Sequence, residues 1–283
     1  MGETVLREDS ERVATLTLNR PQRLNAITPE LADDLRSALA AAIDDPGIHV
    51  IRLRGAGRAF CAGYDIGWGS EWMVHAEGGR PWDPMVDLAG MNRFVQDTYM
   101  ALWRSPKPVV AQVHGFCVGG GTDFALCSDL IVCSEDCRIG YPPARVWGSP
   151  TTAMWTYRLG LERSKRLLLT GDALDGRTAA AWGLASEAVP EDRLEQAGAE
   201  LAQRVARLPA NQLHMMKLLV NQTIEQMGLA TTQLIGTLLD GAARHTPEGV
   251  DFTRRAMEDV RGAVAERDGP FEDYGQGPRI APS

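Results

Sequence analysis

GFCVGGGTDFALCSDL, residues 115–130, sets three consecutive glycines at the mouth of a helical pattern, with one carboxylate, Asp123, just inside it. Adjacent glycines weaken any regular element that contains them, so a backbone this bare marks a place where something must approach the main chain closely. PVVAQV (residues 108–113) before it and DLIVCS (residues 129–134) at its end both read as short strands. Strand, glycine turn, helix and strand in succession is the rhythm of an α/β protein.

The rhythm extends upstream. VATLTL (residues 13–18) and HVIRLR (residues 49–54) are strand-like, and residues 29–43 between them carry a helical pattern opened by Thr28 and Glu30 and ended by Asp44-Asp45-Pro46-Gly47. After about residue 150 the strand signal fades, and helical stretches run over residues 191–207, 211–226, 229–244 and 247–266. The reading is an α/β core over residues 1–200 and a helical region over residues 201–283, the latter available to pack on a neighbouring subunit. Residues 67–84 differ from their surroundings: Trp68, Trp72 and Trp82 stand among glycines, prolines and acids, as in a pocket lid or in a loop pinned by ordinary tryptophan burial.

Composition removes several classes of function. A net charge of -8 lacks the basic excess that nucleic-acid binding requires. The five cysteines (61, 117, 127, 133, 137) are odd in number and mostly embedded in apolar runs, unlike a secreted disulfide framework, so reduced thiols in a cytoplasm are expected. The histidines stand apart, and no second Cys/His pair accompanies Cys133 and Cys137, so no metal is expected. No apolar stretch suits a signal peptide or a membrane span.

Common glycine motifs fail in turn. There is no GxxxxGK[ST], GAGRAF (residues 55–60) lacks the third glycine of a dinucleotide fingerprint, and GxSxG and HExxH are missing. What remains is a pair of small-residue turns, each following a strand: RAFCAGYDI (residues 58–66) and HGFCVGGGTD (residues 114–123). Glycine and alanine let a ligand reach backbone N–H groups, and two such turns face to face would form an oxyanion hole. A tight helix entry is the plainer use of the same glycines.

Four segments in order, LNRPQRLNAI (residues 18–27), AFCAGYDI (59–66), PVVAQVHGFCVGGGTDFALCSDL (108–130) and LLLTGDALDGRTAAAWGLASEAVP (167–190), resemble the signature segments of the crotonase superfamily, which includes the enoyl-CoA hydratases and isomerases. The resemblance spans roughly residues 5–270. It implies an α/β crotonase fold of repeated ββα turns with trailing helices, assembled as homotrimers or hexamers. It also implies an acyl-CoA thioester substrate, with coenzyme A part of the substrate and no separate cofactor. By motif position the N–H groups of Ala62 and Gly120 hold the thioester oxygen; Arg23, Leu24 and Ala26 meet the CoA phosphates and adenine; and Asp65 and Ile66 lie at the adenine end. Arg23 has a plain alternative as a solvated arginine.

The chain departs from a family hydratase at the acids. Such an enzyme uses two glutamates, one to activate water and one to protonate carbon. The first position holds Asp123, which otherwise reads as a first-turn acid favoured by the helix dipole. The second falls on Pro143 or Ala144 within RIGYPPARVWGSP (residues 138–150), and neither moves a proton. The dienoyl-CoA isomerases of the family pair an aspartate at the Asp123 position with further acids downstream, the last of which falls near Thr151 or Thr152 here, so that arrangement is missing too.

Tyr141 and Arg145 are the available stand-ins, Arg145 either binding an acid, lowering the pKa of Asp123, or forming a surface ion pair. Trp68 and its neighbours could line a bulky acyl group. Together these point to a single-base isomerase or atypical hydratase. The rivals are a hydrolase or decarboxylase with the same oxyanion hole and a non-catalytic acyl-CoA-binding protein.

Overall fold

The computed structural model describes residues 2–66 and 82–271. The first half runs β1 (Val5–Ser10), β2 (Val13–Leu18), α1 (Pro29–Asp44), β3 (Val50–Gly55), α2 (Pro84–Met91), α3 (Met100–Arg104), β4 (Val109–Val113), β5 (Phe116–Val118), α4 (Gly121–Leu126), β6 (Leu130–Ser134) and β7 (Arg138–Gly140). It continues with α5 (Met154–Thr170), β8 (Ala173–Leu174), α6 (Gly176–Ala181), β9 (Glu187–Val189), α7 (Glu191–Ala206), α8 (Ala210–Gln226), α9 (Leu229–Arg244), α10 (Pro247–Glu258) and α11 (Val260–Asp268).

Two sheets result, one in the order β1-β2-β3-β4-β6-β9 and a small one in the order β5-β7-β8. The four strands expected from the sequence are β2, β3, β4 and β6, the parallel centre of the large sheet. Both faces are covered, and the polar residues that β2, β3 and β4 carry there pair with one another, Arg52 donating to Thr15 (3.2 Å) and Gln112 (3.2 Å) and meeting Glu195 of α7 at 2.9 Å. One valine from each, Val13, Val50, Val110 and Val132, packs on Leu194, Ala202 and Ala206 of α7. α7 lies close to the sheet at Gly198, where a Cβ would stand 2.2 Å from Oε1 of Gln112.

The opposite face, with Leu16, Ile51, Ala111 and Ile131, joins Leu35 and Leu39 of α1 and Phe124 of α4 in the main core. All five cysteines are free and buried.

The small sheet sets up the site. After each central strand the chain enters it briefly and then turns into a helix, as in β4-β5-α4 and β6-β7-α5. The isolated bridge between Cys61 and Cys117 extends the small sheet to the turn after β3. This repeated ββα spiral, trailed by helices, is the crotonase fold, and it stacks turns from successive strands side by side.

Two helical readings change. Residues 247–266 form α10 and α11 with a break at Asp259 (φ -147°), whose carboxylate caps α11 by accepting from the N–H of Arg261 at 3.1 Å. α5 was not legible as a helix because Gly160, at φ +73°, interrupts its pattern. No described helix is long and apolar enough to cross a membrane.

Candidate active site

The first wall of the site is the turn after β3, and the segment after β2 holds it. Leu24 and Asn25 both take left-handed conformations (φ +52° and +55°), the second a residue type that tolerates them. The buried Asn25 side chain accepts from the N–H of Arg20 at 2.8 Å and donates to the carbonyls of Ala56 (2.9 Å) and Ala59 (2.8 Å). With that segment fixed, Ile27 N–H donates to Gly63 O at 2.8 Å and Asp65 N–H to Ile27 O at 3.0 Å.

Ala62 N–H donates to Leu24 O at 3.0 Å, so this amide is already paired inside the protein and cannot serve as the expected oxyanion donor. Two residues on, the N–H of Tyr64 has no hydrogen-bond partner among the described residues. The pairing that consumes Ala62 comes from a segment 38 residues upstream, which the local motif does not reveal.

The second wall is the glycine turn, and its three glycines have three different causes. Gly119 is left-handed (φ +55°); a Cβ on Gly120 would lie 2.7 Å from the Tyr64 ring; a Cβ on Gly121 would lie 2.3 Å from the Cys61 carbonyl oxygen. Val118 N–H to Cys61 O (3.1 Å) and Cys61 N–H to Phe116 O (2.9 Å) lock the two walls together. Gly120 N–H, like that of Tyr64, has no partner among the described residues. The two amides adjoin: a Cβ on Gly63 (φ +91°), the residue before Tyr64, would stand 3.4 Å from Gly120 N.

Asp123 lies in α4, three residues beyond Gly120, at 2% exposure. Burial away from water disfavours its charged form and pushes its pKa up to about 7, against the opposing hydrogen bond from Thr152 and with help from the charge of Asp240. The Thr152 hydroxyl donates to Asp123 Oδ1. Tyr64 and Tyr99 share a hydroxyl contact at 2.9 Å, and Phe94 and Phe124 pack edge-on against these two rings. Burial raises both phenols, first among the causes, so both stay neutral donors across the physiological range.

The remaining predicted residues divide. Tyr141 is buried beside this cluster, its pKa raised first by burial and then by the charges of Asp240 and Asp123. Arg145 is neither a surface residue nor a partner of Asp123. Its guanidinium is buried against Asp172 (3.2 Å) and Asp268 (3.3 Å), donates to Thr170 O at 3.0 Å and lies 3.7 Å from the Phe271 ring centre. It ties the segment after β7 to the end of α11, and Asp123 moves upward in pKa with no contribution from it.

Arg23 is exposed at the end of a short 3-10 turn. The backbone groups of Leu24 and Ala26 have partners within the chain: Leu24 O takes Ala62 N–H, Ala26 N–H donates to Arg23 O at 3.0 Å, and Ala26 O accepts from Arg20 at 2.5 Å. Asp65 pairs with Arg20 at 2.9 Å. Ile66 packs on the cluster formed by Phe252, Ala256 and Ala263 of the last two helices. Trp68 lies outside the described residues.

Sequence reasoning missed Asp240, a buried carboxylate of α9 that accepts from Ser149 N–H at 3.1 Å and from Arg244 at 2.8 Å. It stands 117 positions from Asp123 in a helix with no motif around it. A polar residue on the buried face of an amphipathic helix is the one signal that could have marked it.

A family model described as enoyl-CoA hydratase/isomerase matches residues 8–246. An enoyl-CoA hydratase from Mycobacterium smegmatis, known by crystal structure, is 44% identical with a TM-score of 0.91, covering 96% of this chain and 95% of its own. The 2,3-dehydroadipyl-CoA hydratase of Escherichia coli is 30% identical over 263 residues, 89% of this chain and 96% of that one. The 1,2-epoxyphenylacetyl-CoA isomerase of the same organism is 30% identical over 250 residues, 85% and 87% of the two chains. With the spiral of ββα turns and a family match over most of its length, the chain belongs to the enoyl-CoA hydratase/isomerase family of the crotonase superfamily.

Proposed function

We propose that the protein processes an acyl-CoA thioester, holding the thioester oxygen between the N–H groups of Tyr64 and Gly120 while Asp123 moves a proton on a nearby carbon. The observation that carries this reading is the pair of partnerless amides on adjoining turns, three residues from a buried carboxylate. When a proton leaves the carbon next to the thioester, charge collects on the oxygen, and fixed N–H donors there lower the barrier by about 3 kcal/mol each.

A carboxylate with a pKa of about 7 suits the task, since it is present in both protonation states near neutral pH. With Pro143 and Ala144 where a hydratase glutamate would stand, Asp123 is the one carboxylate at the motif positions, and one carboxylate suffices to shift a double bond. We assign the CoA phosphates to Arg23, whose exposure leaves it open to a ligand, with coenzyme A entering as part of the substrate.

Asp123→Asn tests the reading. Turnover of 2-enoyl-CoA esters, and exchange of α-hydrogens of a saturated acyl-CoA in deuterated water, should fall by about 100-fold or more, while CoA-ester affinity measured by calorimetry holds. Unchanged turnover in this variant would discard Asp123 as the base. CoA-ester binding by a wild type that catalyses neither process would leave a binding protein.

A further inference from the structure

The proposed proton transfer relies on one carboxylate, yet the fold brings a second to the same wall from a distant element. The buried stripe of α9 lies along residues 148–152. Gln233 Nε2 donates to Thr152 O at 3.1 Å, a Cβ on Gly236 would stand 3.2 Å from Pro150 O, and Asp240 Oδ1 accepts from Ser149 N–H at 3.1 Å.

At Gly148 the groups converge. A Cβ there would be 3.3 Å from Cβ of Pro143, 3.5 Å from the Tyr141 hydroxyl and 3.6 Å from Asp240 Oδ1. Pro143 in turn faces the glycine turn, 3.5 Å from where a Cβ on Gly119 would be. The carboxylate of Asp240 therefore borders the place from which the hydratase glutamate is missing.

We propose that Asp240, delivered by α9 beside Pro143, Gly148 and Tyr141, is the second carboxylate of the site and works with Asp123 as a proton-transfer pair. This rests on the enolate reading above. Asp240 faces Arg244 on its own helix, Asp87 of α2, the Ser149 N–H, and, across the cluster, Tyr141, Tyr64 and Asp123. Arg244 is bonded to both Asp87 and Asp240, while Asp123 has a hydroxyl partner. Burial, the largest cause, and the charge of Asp87 push the Asp240 carboxyl up against the pull of Arg244 and the Ser149 N–H, which favours its protonated form. A protonated carboxyl is what an enolate carbon needs as its proton donor.

The substrate class that uses such a pair is a 2-enoyl-CoA. Asp123 takes a proton from water as the water oxygen bonds to the β-carbon, and the π electrons move onto the thioester oxygen at Tyr64 and Gly120. Asp240 then gives its proton to the α-carbon as the enolate collapses. The proton on Asp123 returns to Asp240 through solvent. The sum is one water added across the double bond.

The test compares the wild type with Asp240→Asn, Asp240→Glu and Arg244→Gln on butenoyl-, octenoyl- and cinnamoyl-CoA, following kcat, KM and the pH profile. Asparagine keeps an acceptor for Ser149 N–H but cannot deliver a proton reversibly. Asp240→Asn should lower kcat for hydration about 100-fold with KM within about threefold, and Asp240→Glu should recover at least part of it. Arg244→Gln should move the alkaline limb of the profile to higher pH, because removing the cation favours the protonated acid.

Hydration by Asp240→Asn within threefold of wild type, or an unmoved alkaline limb in Arg244→Gln, would overturn the assignment and leave the enolate reading standing. A wild type that neither hydrates these esters nor exchanges α-hydrogens would overturn both. Should Asp240→Asn fail to fold by circular dichroism, the glutamate variant and Arg244→Gln still decide through kcat and the profile.

Discussion

Asp123 shows what it costs the fold to bury a carboxylate. Its pKa is about 7 in the folded chain against 3.8 for the free side chain, so the folded state binds its proton more tightly than the unfolded one. Stability from this group is therefore greatest below pH 4 and declines as pH rises to about 7, then stays level. Asp123→Asn, which keeps an acceptor for the Thr152 hydroxyl, should be more stable than wild type at pH 8 by up to about 4 kcal/mol. The gap should narrow as the pH falls and close below about pH 4, as read by urea unfolding across that range; a gap independent of pH would contradict it.

At Gly63, a Cβ would meet Val118 O at 3.0 Å with φ at +91°. Gly63→Ala should cost about 1–2 kcal/mol from backbone strain and lower kcat by about 100-fold by displacing the Tyr64 amide from its place beside Gly120. The motif made both turns legible but not which amide of the first is free. That depended on Leu24 O taking the N–H of Ala62, a contact set by two left-handed residues upstream.

Among the elements, the segment after β7 and the last two helices depend on one another. Arg145 joins Thr170, Asp172 and Asp268, and Phe271 covers it, so the arginine reads as surface in sequence and is core in the fold. Arg145→Ala removes one member of a buried charge cluster and leaves carboxylates partly uncompensated, which should cost about 3 kcal/mol. Hydrogen exchange should then show residues 247–271 losing protection before the sheet does; uniform loss would mean that the helices are held elsewhere.

The strands, α1 and the four C-terminal stretches were legible because each carries its own apolar period and its own stops. The helix α5 was not, since Gly160 breaks its period while the core keeps it in place. The buried face of α9 likewise announces itself only against residues 148–152, where Asp240 meets Ser149 and Gly148.

For the whole molecule, α8 and α9 leave Met216, Leu219, Val220, Ile235 and Leu239 about half exposed or more, an apolar face with no cover from the described residues. We expect the chain to associate through it, sedimenting at three or six times its 30.8 kDa. Leu219→Glu combined with Ile235→Glu should give single chains with an unchanged circular dichroism spectrum. A wild type that sediments as one chain would refute the expectation.

The sequence by itself determined the alternation of strand and helix, the two glycine-bearing turns and the carboxylate behind the second, because each is a local matter of period, conformational freedom and spacing. Tertiary structure alone decided that Tyr64 rather than Ala62 offers a free amide, that Arg145 is spent on the C-terminal helices, and that Asp240 meets Ser149 and lies near Gly148. Each of these turns on which distant group satisfies a buried polar atom, and hydrogen-bond partners separated by tens of residues leave no periodic trace along the chain.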